Sequence, residues 1–275
     1  VFSVSVFRYY LHHKLVVIKD IHELYNLAQI RKDFIANASH ELRTPLTVFN
    51  GYIEMMIDMQ EADSPWEKPL AQMHQQSQRM QSIINDLLTL SAMESETLIE
   101  EKQPVNVPEI LANLQKDAEL MSHEKHQFVF EIDPSLKIVG YLTPLTSVFT
   151  NLISNAVRYT PDQGKITVRW YHRGKFIYFE VEDTGIGIAR EHLSRITERF
   201  YRVDAARSRE TGGTGLGLAI VKHILERHQA QLVIESQLGR GSHFICKFPA
   251  DLMVLEGQTP KKALAGAKAK GSESR

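Results

Sequence analysis

Apolar positions change their spacing along this chain, and the changes divide it. Near the start, Phe2-Ser-Val-Ser-Val-Phe7 alternates and Leu15-Val-Val-Ile18 runs apolar, around a polar His12-His13-Lys14 turn. That pattern predicts two short strands. From Ile21 the spacing becomes helical: Leu24, Leu27, Ala28, Ile35, Ala38, Leu42, Phe49, Tyr52, Met56 and Met59 recur mostly at steps of three and four. Glu61-Ala-Asp-Ser-Pro-Trp66 interrupts it. A second stripe follows through Leu70, Met73, Ser77, Met80, Ile84, Leu87, Leu88 and Ser91. Two long helices joined by a short loop predict an antiparallel hairpin, too thin to bury its stripe alone. Pairing with a second copy into a four-helix bundle is the expected solution.

Gln103-Pro-Val-Asn-Val-Pro108 reads as a linker. After it, helical patterns over 107–124, 141–158 and 215–228 mix with strand patterns over 127–133, 165–171, 176–182, 231–236 and 242–248. This predicts an α/β sandwich, one helical layer on a mixed sheet. From about Gly257 the chain is Lys, Ala, Gly and Ser with almost no large apolar residue, which reads as a disordered tail. The implied organisation is 1–19, 20–98, 99–250 and a tail from 251 to 275.

Bulk properties narrow the function classes. A length of 275 residues suggests two or three units. With 32 basic and 33 acidic residues the net charge is −1, so no nucleic-acid-type field is expected. One cysteine, Cys246, excludes an internal disulfide framework and fits a reducing compartment. It sits in an amphipathic strand pattern, as a buried inert thiol. No run of about 18 apolar residues occurs, so nothing in this stretch is expected to span a bilayer. Val1 in place of Met and an isolated hairpin are the marks of a piece of something longer.

Candidate chemistry begins with Ser39-His-Glu-Leu-Arg-Thr-Pro-Leu46. His40 lies between the core-type positions Ala38 and Leu42, and Arg43 and Thr44 share its helix face. Pro45 frees the carbonyl of Glu41 and predicts a bend. A neutral imidazole beside the Glu41 carboxylate is a competent nucleophile near neutral pH. Of the twelve histidines, His74, His123, His126, His172 and His228 have no comparable neighbours and read as surface residues.

A second constellation suits a nucleotide. Asn151 and Asn155, four apart on a helix, offer amide oxygens to a magnesium ion that keeps its waters and bridges phosphates. Arg158 and Tyr159 follow, a phosphate partner and a flat surface for a base. Asp183 ends a strand and can accept from an exocyclic amine; Gly185 and Gly187 let the backbone turn and approach a ligand. Gly212-Gly-Thr-Gly-Leu-Gly217 leads straight into a helix, the arrangement of an anion site. Between them, Arg190, Arg195, Arg199, Arg202, Arg207 and Arg209, with few apolar residues beyond Phe200-Tyr201, read as a lid over a polyphosphate.

The order and spacing of these segments over residues 20–250 resemble the bacterial sensor histidine kinases. The H box is Ser39–Leu46, the N box Asn151–Pro161, the first Gly box Asp183–Ile188, the F box Phe200-Tyr-Arg202 and the second Gly box Gly213–Gly217. Arg31-Lys-Asp-Phe-Ile-Ala-Asn37 and Gly51-Tyr52 are similar to the phosphate-regulon branch. Residues 1–19 resemble the last strands of a PAS sensor domain. The pattern departs at Arg158, where lysine is frequent, and at Gly239-Arg-Gly-Ser-His-Phe244, which varies Gly-x-Gly-Thr-x-Phe.

The resemblance implies an antiparallel helical-hairpin dimerisation and phosphoacceptor domain, then a GHKL-type α/β sandwich that binds ATP. It implies that His40 attacks the γ-phosphate of ATP, with Glu41 as acid/base partner and Thr44 orienting a water for dephosphorylation of the partner. It gives Mg²⁺ to Asn155 and Asn151 and phosphate to Arg158. Asp183 would take the adenine amino group, in a pocket that Gly185 and Gly187 shape, and Gly213, Gly215 and Gly217 would cradle phosphates. Tyr159, Arg202, Thr214 and Leu216 complete the nucleotide set. The implied partners are a second copy and a response regulator of phosphate genes with a receiver Asp. The implied setting is a soluble cytoplasmic segment of a protein anchored in the bacterial inner membrane. The rival readings are a non-catalytic dimeric scaffold and a GHKL-fold ATPase of another class.

Overall fold

The computed structural model describes residues 2–9, 13–20, 22–59, 64–94, 101–203 and 213–254. His12, Gly212, Arg207, Arg209, residues 61–63 of the 61–66 break and the tail from Gly257 lie outside the described residues. The chain divides into two units, residues 1–99 with 195–223 and residues 100–194 with 224–275.

The first unit opens with an antiparallel pair, β1 (Phe2–Tyr9) and β2 (His13–Asp20), in register from Phe2 opposite Asp20 to Tyr9 opposite His13. Asp20 then turns the chain into a helix by accepting the amide of His22 through Oδ1 at 2.9 Å. Helix α1 (His22–Met59) runs through Pro45, and α2 (Glu67–Glu94) starts after Ser64, whose hydroxyl accepts the Trp66 amide. The helices pack antiparallel, with Arg43 Nη2 donating to Asn85 Oδ1.

The apolar stripe separates into two seams. Ser39, Leu46 and Ile53 on α1, with Leu70, Ser77, Ile84 and Ser91 on α2, are buried. Leu42, Phe49 and Met56, with Met73 and Met80, are exposed. Both sets step by seven, the spacing of helices that meet along a seam. Leu42 is thus not core, as its spacing suggested; it lines a groove of about 510 Å³ with Pro45, Leu46, Phe49, Met80, Ile83, Ile84 and Leu87.

In the second unit, α3 (Val107–Ser122), with Pro108 in its first turn, and α4 (Leu142–Tyr159) accompany a five-stranded sheet of order β4-β6-β7-β9-β8. The strands are β4 (Gln127–Ile132), β6 (Lys165–Arg173), β7 (Phe176–Asp183), β8 (Gln231–Gln237) and β9 (Gly241–Pro249). β4 and β6 are parallel and the other pairs antiparallel, so the sheet is mixed as expected. Period-two alternation puts Ile166, Val168, Trp170, Ile177, Phe179, Val181, Phe244, Cys246 and Phe248 on one buried face. Helix α4 covers it through Phe149, whose ring lies 4.6 Å from Phe179 and 6.2 Å from Trp170. Burial pushes the Cys246 thiol far up, so it is an inert core residue.

The supposed linker is partly structured. Gln103–Val105 forms β3, which pairs with β5 (Lys137–Gly140), itself paired with β10 (Met253–Val254). Pro104 fits because β3 is an edge strand, and Val105 and Val107 are buried. The fifth helix, α5 (Gly217–Arg227), carries buried Ile220, Val221, Ile224 and Leu225.

Two histidines read as surface residues are interior. His228 is buried, accepting from the Tyr141 amide through Nε2 and reaching Ile224 O with Nδ1 at 2.8 Å. His126 is half-buried between Ser122 Oγ and Thr160 O. Spacing along the chain does not register the bonds to Tyr141 and Thr160, because those residues lie 87 and 34 positions away. Among the described residues, no helix is long and apolar enough to cross a membrane.

Candidate functional site

His40, Glu41 and Thr44 lie on α1, with Glu41 and Thr44 exposed and Ser39 buried just before them. Pro45 does not end the helix, and Thr47 Oγ1 donates back to Arg43 O at 3.0 Å across the turn that contains it. The phosphoacceptor candidate is thus carried on a continuous helix whose neighbouring groove is apolar.

Asp183, the candidate for the base, sits where β7, β9 and the end of α4 meet within the second unit. Asp183 closes β7 with its carboxylate buried. Its Oδ1 accepts the Gly185 amide at 2.8 Å and the Ser242 amide at 3.3 Å. Among the described residues both bonds fall on Oδ1, which leaves Oδ2 to accept from a ligand amine. Burial pushes this carboxyl above the usual aspartate range, against the pull of the two amides. Gly185 is required by space: a Cβ there would run into the Tyr159 carbonyl and Asp183 Oδ1. Gly187 is required by conformation as well, with φ 66° and its Cα against Gln237. Ile186 N donates to Tyr159 O at 3.1 Å, so the glycine loop is tied to the last turn of α4.

That helix carries the other candidates. Asn151 and Asn155 share one side of α4, both half-buried. Asn151 Nδ2 donates to Ser147 O at 2.8 Å, which fixes the amide and turns Oδ1 away from that bond. Two amide oxygens on one face suit a hard cation that brings its own waters. Arg158 lies in the last turn, where a cation also answers the helix dipole, and Tyr159 is the exposed residue beside it.

The glycine and F-box segments belong to the first unit. Phe200 N donates to Gly215 O at 2.9 Å, and Arg202 Cγ lies close to Gly215. Phe200, read from the sequence as one of the few core-type residues here, is exposed, whereas Ile196 is buried. Arg195 stacks over the Tyr201 ring at 4.2 Å. Gly213, Thr214, Gly215 and Leu216 precede Gly217, the first residue of α5, so unsatisfied helix-start amides stand next to the glycines. Thr214 Oγ1 accepts from Leu216 N and donates to Asp86 Oδ2 at 2.7 Å.

Sequence reasoning missed Ser236, whose hydroxyl accepts the Ile188 amide at 2.8 Å and holds the first Gly box against β8. Nothing in its local pattern marks it. Ser242 was visible only as a variation within Gly239–Phe244.

Residues 30–96 match the His Kinase A (phospho-acceptor) domain family, and residues 140–252 match the histidine kinase-, DNA gyrase B- and HSP90-like ATPase family. The chain is 47% identical over 250 residues to the phosphate regulon sensor protein PhoR of Pseudomonas aeruginosa, covering 90% of this chain and 56% of that one. It is 37% identical over 246 residues to the protein of the same name from Haemophilus influenzae, covering 90% and 58%. The chain therefore spans a little over half the length of these relatives. Full-length ShkA in complex with AMPPNP shares the fold, with a TM-score of 0.64 and 24% identity over 79% of this chain and 45% of that one. With a phospho-acceptor domain followed by an ATPase domain of this type, the chain belongs to the sensor histidine kinases, alongside the phosphate-regulon sensor proteins.

Proposed function

We propose that the chain transfers the γ-phosphoryl group of ATP to the imidazole of His40 and passes it on to an aspartate of a response regulator. The observation that carries this reading is the buried Asp183 carboxylate, held by the Gly185 and Ser242 amides with one oxygen left to accept, in a chain that also carries His40 in its phospho-acceptor match. A carboxylate acceptor suits the 6-amino group of adenine. The glycines before α5 offer amides to phosphates, and Arg158 and Arg202 offer charge. His40 supplies the nitrogen nucleophile, and Glu41 takes the imidazole proton as the N–P bond forms and the bond to ADP breaks. Asn155 and Asn151 would hold Mg²⁺, which neutralises phosphate charge when bound. Phosphoryl transfer asks chiefly for positioning and charge neutralisation, and these residues answer both.

In this reading, residues 20–98 dimerise and accept phosphate, 99–250 bind the nucleotide, and 1–19 end a PAS-type sensor domain. The open seam at Leu42, Phe49, Met73 and Met80 supports a homodimer. Thr44, one turn beyond His40, supports a second activity, dephosphorylation of the regulator. The relatives' names, phosphate regulon sensor proteins, support a regulator of phosphate genes; an inner-membrane anchor for the whole protein belongs to the same reading.

Incubation with γ-labelled ATP and Mg²⁺, beside His40→Gln, tests the proposal. The expected label is acid-labile, alkali-stable and absent from the variant. Label that survives acid, or persists in His40→Gln, overturns the assignment.

A further inference from the structure

Asp183, Ser242 and Ser236 stand in one row across β7, β9 and β8. Asp183 opposes Ser242, and Ser242 opposes Ser236, in the strand register. Side chains in such a row share a face. Alternation from Phe179 and Val181, and from Cys246 and Phe244, makes it the buried face of the sheet.

A serine hydroxyl has one proton and two lone pairs. On Ser236 all three are engaged. The Ile188 amide donates to Oγ at 2.8 Å, the hydroxyl proton goes to Gly241 O at 2.9 Å, and Ser242 Oγ lies at 3.0 Å. With its proton committed to Gly241, Ser236 can only accept from Ser242. The Ser242 proton therefore points along the row toward Ser236. What Ser242 Oγ keeps are lone pairs, next to the carboxylate that its own amide touches.

We infer that Ser236 is a specificity-determining positioning residue: it fixes the direction of the Ser242 hydroxyl, so that the Ser242 oxygen beside Asp183 presents lone pairs and not a proton. This rests on the nucleotide reading above and adds its selectivity. Lone pairs on Asp183 and Ser242 that face position 6 of a purine admit an amine there and oppose a carbonyl, because two acceptors then face each other without a proton. Ser236 itself does not touch the base. It acts through Ser242 and through Ile188, which follows the two glycines of the loop.

The test is competition of ATP and of GTP, each with Mg²⁺, against a fluorescent ATP analogue on the full chain. The wild type is expected to favour ATP. Ser236→Ala releases the Ser242 hydroxyl to rotate and donate, so the ATP-to-GTP affinity ratio narrows by about five- to tenfold, the worth of one hydrogen bond. Ser236→Thr, which keeps the hydroxyl, holds the wild-type ratio. In a Ser242→Ala background, Ser236→Ala narrows the ratio no further, since there is no hydroxyl left to direct. Equal weakening of both nucleotides by Ser236→Ala, or the same narrowing without the Ser242 hydroxyl, overturns the inference. Should Ser236→Ala fail to fold, Ser242→Ala alone decides, and an unchanged ratio in it is fatal. A wild type that binds both nucleotides equally sinks the inference alone. A wild type that binds neither sinks the nucleotide reading with it.

Discussion

The helical hairpin and the α/β unit use apolar residues in opposite ways. In the α/β unit Phe149, Trp170, Phe179 and Phe248 are fully enclosed, and the covered face of the sheet is finished by its own chain. In the hairpin only one of two heptad seams is closed. Ser39, Leu46 and Ile53 are inside, whereas Leu42, Phe49 and Met56 face outward at the same spacing. A core completed by its own chain asks for no further surface, and a core left half-open asks for another protein surface. The same hydrophobic effect thus closes one region on itself and leaves the other an exposed apolar seam.

Substitutions can break this contrast. Phe149→Ala should have the largest effect, about 3–5 kcal/mol of lost stability, with a urea midpoint that does not depend on protein concentration. A concentration-dependent midpoint would show that the α/β core is not self-sufficient. Phe49→Asp, in the open groove, should weaken self-association by about a hundredfold in sedimentation, with nucleotide affinity within twofold of wild type. Asp183→Asn reverses that pattern. It should weaken ATP binding by about tenfold to a hundredfold and leave the dimer unchanged.

The smallest effect contrasts neighbours on one strand. The Arg169 guanidinium, bonded to Glu182 at 2.8 Å, holds that carboxyl below its ordinary range. Glu182 therefore contributes stability above its unfolded pKa of about 4.3, lost as pH falls through the lower folded value. Asp183, raised by burial, has the opposite sign: its contribution is full below about 3.9 and lost as pH rises through the folded value. Glu182 is half exposed, so Glu182→Gln should cost about 0.2–1 kcal/mol at neutral pH, a difference that disappears in acid. Urea midpoints across pH check the sign for both variants.

Periodicity made the five strands of the mixed sheet and the five helices among the described residues legible, because a face buried along its whole length imprints its period on the sequence. β3, β5 and β10 escaped it. They have two to four residues each, too few for a period, and Pro104 reads as a breaker unless the strand is known to be an edge. Asp183, Gly185 and Gly187 were legible for a related reason: a carboxylate followed by glycines at a strand end is a local arrangement. His228 and Ser236 were not, since their partners lie 87 and 48 residues away.

By itself the sequence determined the longer elements, the hairpin's need for a partner surface, and the residue types that chemistry at a phosphate and an imidazole requires. Those are local or periodic properties, set by side-chain chemistry and the 3.6- and 2-residue repeats. Only the tertiary structure decided which heptad seam closes, which oxygen of Asp183 its backbone amides occupy, and which serine oxygens meet across β8 and β9. Each of these depends on a hydrogen-bond or packing partner that the strand register or the helix crossing brings from far along the chain.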